Sequence, residues 1–259
     1  MQVVTIRGAT FSVDPSPYEQ FWAKVVGGTW EAETFDIFDA HITPDTLMLD
    51  IGAWIGPTSL YAAHNAAQVV AFEPDPVAFE RLSRNLELNR GADWAHRLKI
   101  CQTAISANGE PFRLGSQRAG GDSRSSALFA DRRTSWEVET TRLETVLKTH
   151  ATPGQPIFLK IDIEGGEYDL VPHIAQLLAE PHVTAYISFH PKNLQKALGH
   201  RKRADYDWQT PYVDRHMASL AALPDKRTLR FTSPDLADKA AVEQALRSEH
   251  RFPLEVLIA

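Results

Sequence analysis

The sequence predicts an α/β protein built on a doubly wound, mostly parallel sheet, and three observations carry that reading. Short continuous apolar runs recur along the chain, as expected of strands buried on both faces. They alternate with stretches whose apolar residues fall at helical spacing, with glycine or proline marking the junctions. The length of 259 residues exceeds a minimal domain but falls short of two full-sized ones. Strands alternating with helices in one core place ligands at the carboxyl ends of the strands.

The elements follow in order. Gln2-Val-Val-Thr-Ile and Thr10-Phe-Ser-Val, split by Arg7-Gly8-Ala9, read as a hairpin. A helical stretch from Pro17 to Val26 breaks at Gly27-Gly28. These elements form an extension over residues 1–45, packing on a core domain over 46–259. Thr46-Leu-Met-Leu-Asp-Ile is the first core strand, closed by Gly52, and Pro57 opens a helix to about Ala66. Gln68 to Phe72 is the next strand, and Pro76 opens a helix with Phe79, Leu82 and Leu86 toward the core. Further strands are expected at Leu98–Ala104, Ile157–Asp162 and Val183–Phe189, with a helix carrying Leu170, Val171, Ile174, Leu177 and Leu178. Thr228–Phe231 and Leu254–Ile258 close the sheet around a helix near Pro234–Arg247, and one of them is a candidate antiparallel edge. The segment Gly115–Ala127 reads as the least structured part, a surface loop or a lid facing substrate.

Composition narrows the function. Lysine plus arginine number 27 against 33 acids, a net charge of −6, which argues against nucleic acid as the main partner because that affinity rests on neutralised phosphates. A lone cysteine, Cys101, excludes an internal disulfide framework and a thiolate-rich zinc site. No apolar run approaches a membrane span, and the first residues lack a signal-peptide pattern, so a cytoplasmic enzyme is expected. Oligomeric state is not legible.

Two motifs point to a nucleoside ligand. In Asp50-Ile-Gly-Ala-Trp-Ile-Gly-Pro57, Gly52 permits a sharp turn and close backbone approach, and the helix start beyond offers N–H groups. The dinucleotide fingerprint Gly-x-Gly-x-x-Gly is absent. Glu73, in Phe72-Glu-Pro-Asp-Pro76, lies one strand–helix–strand unit onward, where a carboxylate accepts both ribose hydroxyl hydrogens.

Asp50-Ile-Gly-Ala-Trp-Ile-Gly, Phe72-Glu-Pro-Asp-Pro, Asn85-x-x-x-Asn89 and Lys160-Ile-Asp-Ile-Glu-Gly-Gly-Glu167 together resemble the FkbM family of S-adenosyl-L-methionine-dependent methyltransferases, from about Trp30 to Pro191. The resemblance implies a Rossmann-like, seven-stranded sheet whose last strand is antiparallel, and O-methylation of sugars or natural-product hydroxyls. It departs from the family at Leu143-Glu144, where Leu-Asp is more usual. Carried over, Asp50, Gly52, Ala53, Trp54, Gly56 and Thr58 fall around the methionine portion, and Glu73, Pro74 and Asp75 around the ribose. Thr103 and Ala104 fall at the adenine edge, with Trp30, Glu31 and Asp162 also near the cofactor. Asn85 and Asn89 read as structural.

A hydroxyl acceptor wants a base or a metal. Asp162 and Glu164 follow one strand and His190 the next, so the three are expected to converge beside the methyl group. His190 is the expected base on its ordinary pKa of about 6.5. The same side chains suit a divalent cation. Lys160, inside an apolar strand, is expected in a buried ion pair. His64, His96, His173 and His216 show no ligand spacing and receive no role. Five arginines against two aspartates between Arg113 and Arg133 suggest an anionic small-molecule or saccharide acceptor. The competing readings are a nucleic-acid methyltransferase and a binding module without catalysis. The Asn/Asp-Pro-Pro-aromatic turn of exocyclic amine methylation is missing, which weakens the first.

Overall fold

The computed structural model describes residues 1–116, 120–199, 207–225, 227–231, 238–248 and 254–259. The chain opens with an antiparallel hairpin of β1 (Gln2–Ile6) and β2 (Ala9–Val13). Its turn uses Arg7 and Gly8 in the left-handed region. Alternation buries Val4, Ile6, Phe11 and Val13 against Ile55, Leu60 and Leu82 of the core. Asn89 locks the hairpin in place by accepting from Ser12 N at 2.8 Å and donating to Ser12 O at 2.7 Å. Asn85 does the same one turn earlier, accepting from Asp14 N and donating to Ile55 O. The expectation that both asparagines are structural holds.

Next come α1 (Glu19–Val26) and α2 (Ala32–His41). The second was not anticipated; it buries Phe35, Ile37 and Phe38 and starts at Glu31, whose φ is 45°. The sheet then begins with β3 (Leu47–Ile51), α3 (Pro57–Ala62), β4 (Gln68–Phe72), α4 (Pro76–Glu87) and β5 (Leu98–Cys101). The strand expected over Leu98–Ala104 is in fact two. After Cys101 the chain leaves the sheet, and β6 (Ala104–Ile105) pairs elsewhere.

The segment expected to be least structured is bounded by a second hairpin that sequence patterning missed, β7 (Phe112–Gly115) with β8 (Ser135–Val138). Next, β9 (Thr140–Thr141), the partner of β6, leads into α5 (Leu143–His150) and β10 (Ile157–Ile161). The helix expected after β10 is broken into α6 (Glu167–Leu170), a 3₁₀ turn and α7 (Ala175–Leu178). Pro172 lies in that turn and has no N–H to continue an α-helix. β11 (Val183–Phe189), α8 (Pro191–Gly199), α9 (Gln209–Ala222), β12 (Leu229–Phe231), α10 (Lys239–Ser248) and β13 (Leu254–Ile258) complete the chain. Pro234, the expected start of the late helix, lies outside the described residues.

The seven strands run β12-β13-β11-β10-β3-β4-β5. β13 alone runs opposite to the other six strands, lying between β11 and β12. The expected Rossmann-like sheet with an antiparallel last strand is therefore present. Successive β3 residues face opposite layers: Leu47, Leu49 and Ile51 one way, Met48 the other. The chain winds outward from β3 through β4 to β5 and resumes on the other side at β10. That reversal opens a crevice at the carboxyl ends of β3 and β10. Among the described residues no helix is long and apolar enough to cross a membrane.

Candidate active site

A cavity of about 700 Å³ occupies that crevice, within the range that holds a small ligand. Its wall carries most of the expected positions: Trp30, Glu31, Gly52, Ala53, Trp54, Thr58, Glu73, Pro74, Thr103, Ala104, Asp162, Glu164 and His190. Asp50, Gly56 and Asp75 were expected at the cofactor but stand behind this wall. Each is consumed in holding the loops that form it.

Asp50 is fully buried, and its Oδ2 accepts from Thr58 Oγ1 at 2.8 Å and Ser59 Oγ at 2.5 Å. It thereby ties the first turn of α3 to β3. Gly56 precedes that helix at φ 93°, where a Cβ would meet Leu82 Cδ1 at 2.6 Å. Asp75 caps α4 by accepting from Val77 N and Ala78 N, and its Oδ2 accepts from Gly121 N and Ser125 Oγ. So Asp75 clamps the loop that follows β7. Trp54 Nε1 and Tyr18 OH donate to Gly121 O, each at 2.9 Å. The Trp54 ring also meets Phe21 edge-on, 4.6 Å between centroids.

The loop reaches the cavity through Asp122, Ser123, Ser125 and Ala127, not through its described arginines. Arg124 is about half exposed and faces Asp122. Arg118 lies outside the described residues.

Gly52 decides how closely β3 and β10 approach. At φ 90°, a Cβ there would sit 1.9 Å from the Asp162 carbonyl oxygen. One strand on, Glu73 is buried on the wall, its two oxygens accepting from Trp54 N and Asp75 N at 2.8 Å each. Burial pushes its carboxyl up to about 8, with the charges of Asp75 and Asp50 adding to the effect and the two backbone N–H groups opposing it. A carboxylate has about four acceptor positions, so acceptor capacity remains toward the cavity.

Lys160 stands opposite Asp50 in the β10–β3 register. Its ammonium lies 3.3 Å from Asp50 Oδ1 and 3.4 Å from Asp162 Oδ2, and it donates to Gly52 O at 3.4 Å. Burial works against this charge, but Asp50, Asp162 and Glu31 outweigh it and hold Lys160 protonated. The expected buried ion pair is a triad. Glu31, which accepts from Thr34 Oγ1, is pushed up to about 7 by burial and then by Asp162, with Lys160 pulling the other way.

The expected convergence of Asp162, Glu164 and His190 is also present. His190 Nε2 lies 3.5 Å from Asp162 Oδ1 and 3.6 Å from Glu164 Oε2. Sequence reading missed the residue that organises them, Glu167, which is fully buried. Its Oε1 accepts from Ile163 N at 2.7 Å and faces His190 Nδ1 at 3.1 Å, while Oε2 accepts from Gly165 N at 2.7 Å. The available signal was an acid opening a short helix directly after a Gly-Gly turn. Glu164 sits at φ 56°, and Asn193 Nδ2 donates to its Oε2 at 2.5 Å.

His190, the base expected from an ordinary histidine pKa, sits under opposing influences. Burial works to lower the His190 pKa, but Glu167, Glu164 and Asp162 prevail and push it up to about 10. His173, given no role from sequence, reaches the wall as well, its Nδ1 bonded to Asp169 O. His216 is buried against the Tyr168 hydroxyl at 2.8 Å.

The family model of the methyltransferase FkbM domain matches residues 50–200, more than half of the chain. The chain belongs to the FkbM methyltransferase family. Methyltransferase sdnD of Sordaria araneosa is 29% identical over 160 residues, 51% of this FkbM chain and 61% of the relative. The match thus spans about three-fifths of that relative's length. Among solved structures, methyltransferase FkbM from Methylobacillus flagellatus is 14% identical with a TM-score of 0.47, over 93% of this chain and 54% of that one. SMU.1697c from Streptococcus mutans, in complex with SAH, is 10% identical with a TM-score of 0.44, over 88% and 95%. An rRNA methylase from Streptococcus thermophilus is 11% identical with a TM-score of 0.43, over 87% and 93%.

Proposed function

We propose that this FkbM-family chain is an S-adenosylmethionine-dependent O-methyltransferase acting on a hydroxyl of a saccharide or natural-product small molecule. The observation that carries the reading is one cavity with two chemically different ends: the Gly52 loop and Glu73 on one side, and Asp162, Glu164 and His190 on the other. The donor set fits the cofactor. Gly52 gives close backbone approach, Glu73 is the ribose acceptor, Thr103 and Ala104 border the adenine, and Trp30 and Glu31 close the methionine end. When bound, S-adenosylmethionine would supply a methyl group to the acceptor oxygen as its methyl–sulfur bond breaks and S-adenosylhomocysteine leaves, and the hydroxyl's proton would pass to the Asp162–Glu164 carboxylates. The chain's part is to hold that hydroxyl in line with the methyl carbon, about 3–3.5 Å away, which supplies much of the rate. Asp162 and Glu164 accept its hydrogen bond. Glu167 keeps His190 Nδ1 engaged, so Nε2 faces the same point.

The acceptor's charge follows from the wall. Glu31, Asp122, Asp162, Glu164, Asp169 and Glu255 line the cavity, and Lys160, spent on Asp50 and Asp162, is the single lysine or arginine among the described lining residues. That composition favours a neutral polyol or an amine-bearing sugar over the anionic acceptor suggested by the loop's arginines. The test is a panel of matched neutral, amino and uronic sugars and phenolic natural products, read by S-adenosylhomocysteine formation and by locating the new methyl. Transfer to oxygen of a neutral or amine-bearing acceptor is expected. Transfer to nitrogen or to RNA would overturn the acceptor class. S-adenosylhomocysteine binding without turnover on any acceptor would leave a binding module.

A further inference from the structure

The Asp162–Glu164–His190 cluster has a geometry that acceptor binding alone does not require. We propose that Asp162 Oδ1, Glu164 Oε2 and His190 Nε2 form a divalent-cation site on the cavity wall. These ligand atoms lie within 4.8 Å of one another. An ion with bonds of about 2.1 Å, in the range for nitrogen and oxygen ligands, would see separations of 3.5 and 3.6 Å at angles of roughly 115°. Three protein ligands then leave positions open toward the cavity.

The surroundings of the three are those of a ligand set. Metal-binding histidines usually donate their other ring N–H to a carboxylate, which fixes the tautomer and aims the free nitrogen. Here Glu167 is fully buried, anchored by two backbone N–H groups, and set 3.1 Å from His190 Nδ1. Ligating carboxylates are likewise hydrogen-bonded, and Asn193 holds Glu164 at 2.5 Å. Lys160 takes Oδ2 of Asp162 and leaves Oδ1 to the site. The turn carrying Glu164 holds that residue at φ 56°, and Gly165 beside it packs where a Cβ would lie 2.2 Å from Leu128 Cδ1. A non-glycine residue in that left-handed region persists only where the surroundings fix it. Two carboxylates with one imidazole suit Mn²⁺ or a similar ion.

The role of such an ion, lowering the pKa of the acceptor hydroxyl, rests on the methyltransferase reading; its binding does not. The test is titration of Mn²⁺ into chelator-stripped full-length protein, read by loss of the free-ion electron paramagnetic resonance signal. One ion per chain is expected, displaceable by Mg²⁺. His190→Ala and Glu164→Gln should weaken it more than 100-fold. Glu167→Gln, which touches no ion, should weaken it about 10- to 100-fold, with circular dichroism and a cooperative melt showing that each variant folds. Wild-type protein that binds neither Mn²⁺, Mg²⁺ nor Zn²⁺, or folded variants that bind Mn²⁺ like wild type, would overturn the site. An imidazolium bridging the carboxylates would then be the resting arrangement. Turnover undiminished in the absence of bound metal would remove the ion's role in the reaction and leave its binding to the titration. Bound Mn²⁺ without turnover on any acceptor would count against the methyltransferase reading and leave the site standing.

Discussion

The two ends of the cavity are built differently. The end at β3 and β4 is made of backbone: Gly52 turns, Trp54 N and Asp75 N point at Glu73, and Asp50 and Asp75 tie down the loops from behind. The end at β10 and β11 is made of side chains. Asp162, Glu164, Glu167 and His190 crowd together, with Lys160 and Asn193 beside them. A backbone-built site recognises a fixed shape, with Glu73 as the side chain there that titrates. A side-chain cluster with excess negative charge is suited to handling a proton or a cation, at a cost in desolvation.

The sharpest way to break this contrast is Gly52→Ala. The added carbon would meet the Asp162 carbonyl at 1.9 Å in a left-handed residue, so both ends should fail together. A loss above about 3 kcal/mol in urea unfolding is expected, and a loss under about 1 kcal/mol would mean that the strands separate cheaply. Lys160→Met comes next. It leaves Asp50 buried without its cation, and removing one partner of a buried pair costs about 3–5 kcal/mol, again by urea unfolding.

Glu73→Gln tests the backbone-built end alone. An amide can accept only one of the two N–H groups and carries no charge for the ribose, so S-adenosylhomocysteine should bind about 10- to 100-fold more weakly by calorimetry. The Glu73 carboxyl, at about 8 when folded against 4.5 as a free side chain, also sets a pH dependence. The folded form keeps a proton that the unfolded chain has released, so this group's contribution to stability falls as pH rises from about 4.5 to about 8. The ribose wants the ionised form, so affinity should rise over pH 6–8 and level above, a trend absent in Glu73→Gln. The smallest effect is Arg124→Glu. Arg124 is absent from the described wall, so the acceptor's KM should change less than about twofold; a tenfold rise would restore the case for an anionic acceptor.

Legibility in the sequence follows the same division. The apolar runs of β3, β4, β10 and β11, and the Gly52 and Glu73 positions, were readable because they depend on local spacing. The helix α2, the β7–β8 hairpin and the break after Cys101 were not, because each is settled by what packs against it. The convergence of Asp162 with His190 was inferable from adjacent strand ends, but Glu167 as its organiser was not.

By itself, then, the sequence determined the parallel sheet, its crevice and the family of the chain, since strand pattern and glycine turns are written over a few residues at a time. Only the tertiary structure decided which acids face the cavity, which stand behind it, and that Glu167 backs His190. Those properties come from burial and from neighbours twenty to a hundred residues away, where the local dielectric and the nearest opposite charge outweigh the residue's own identity.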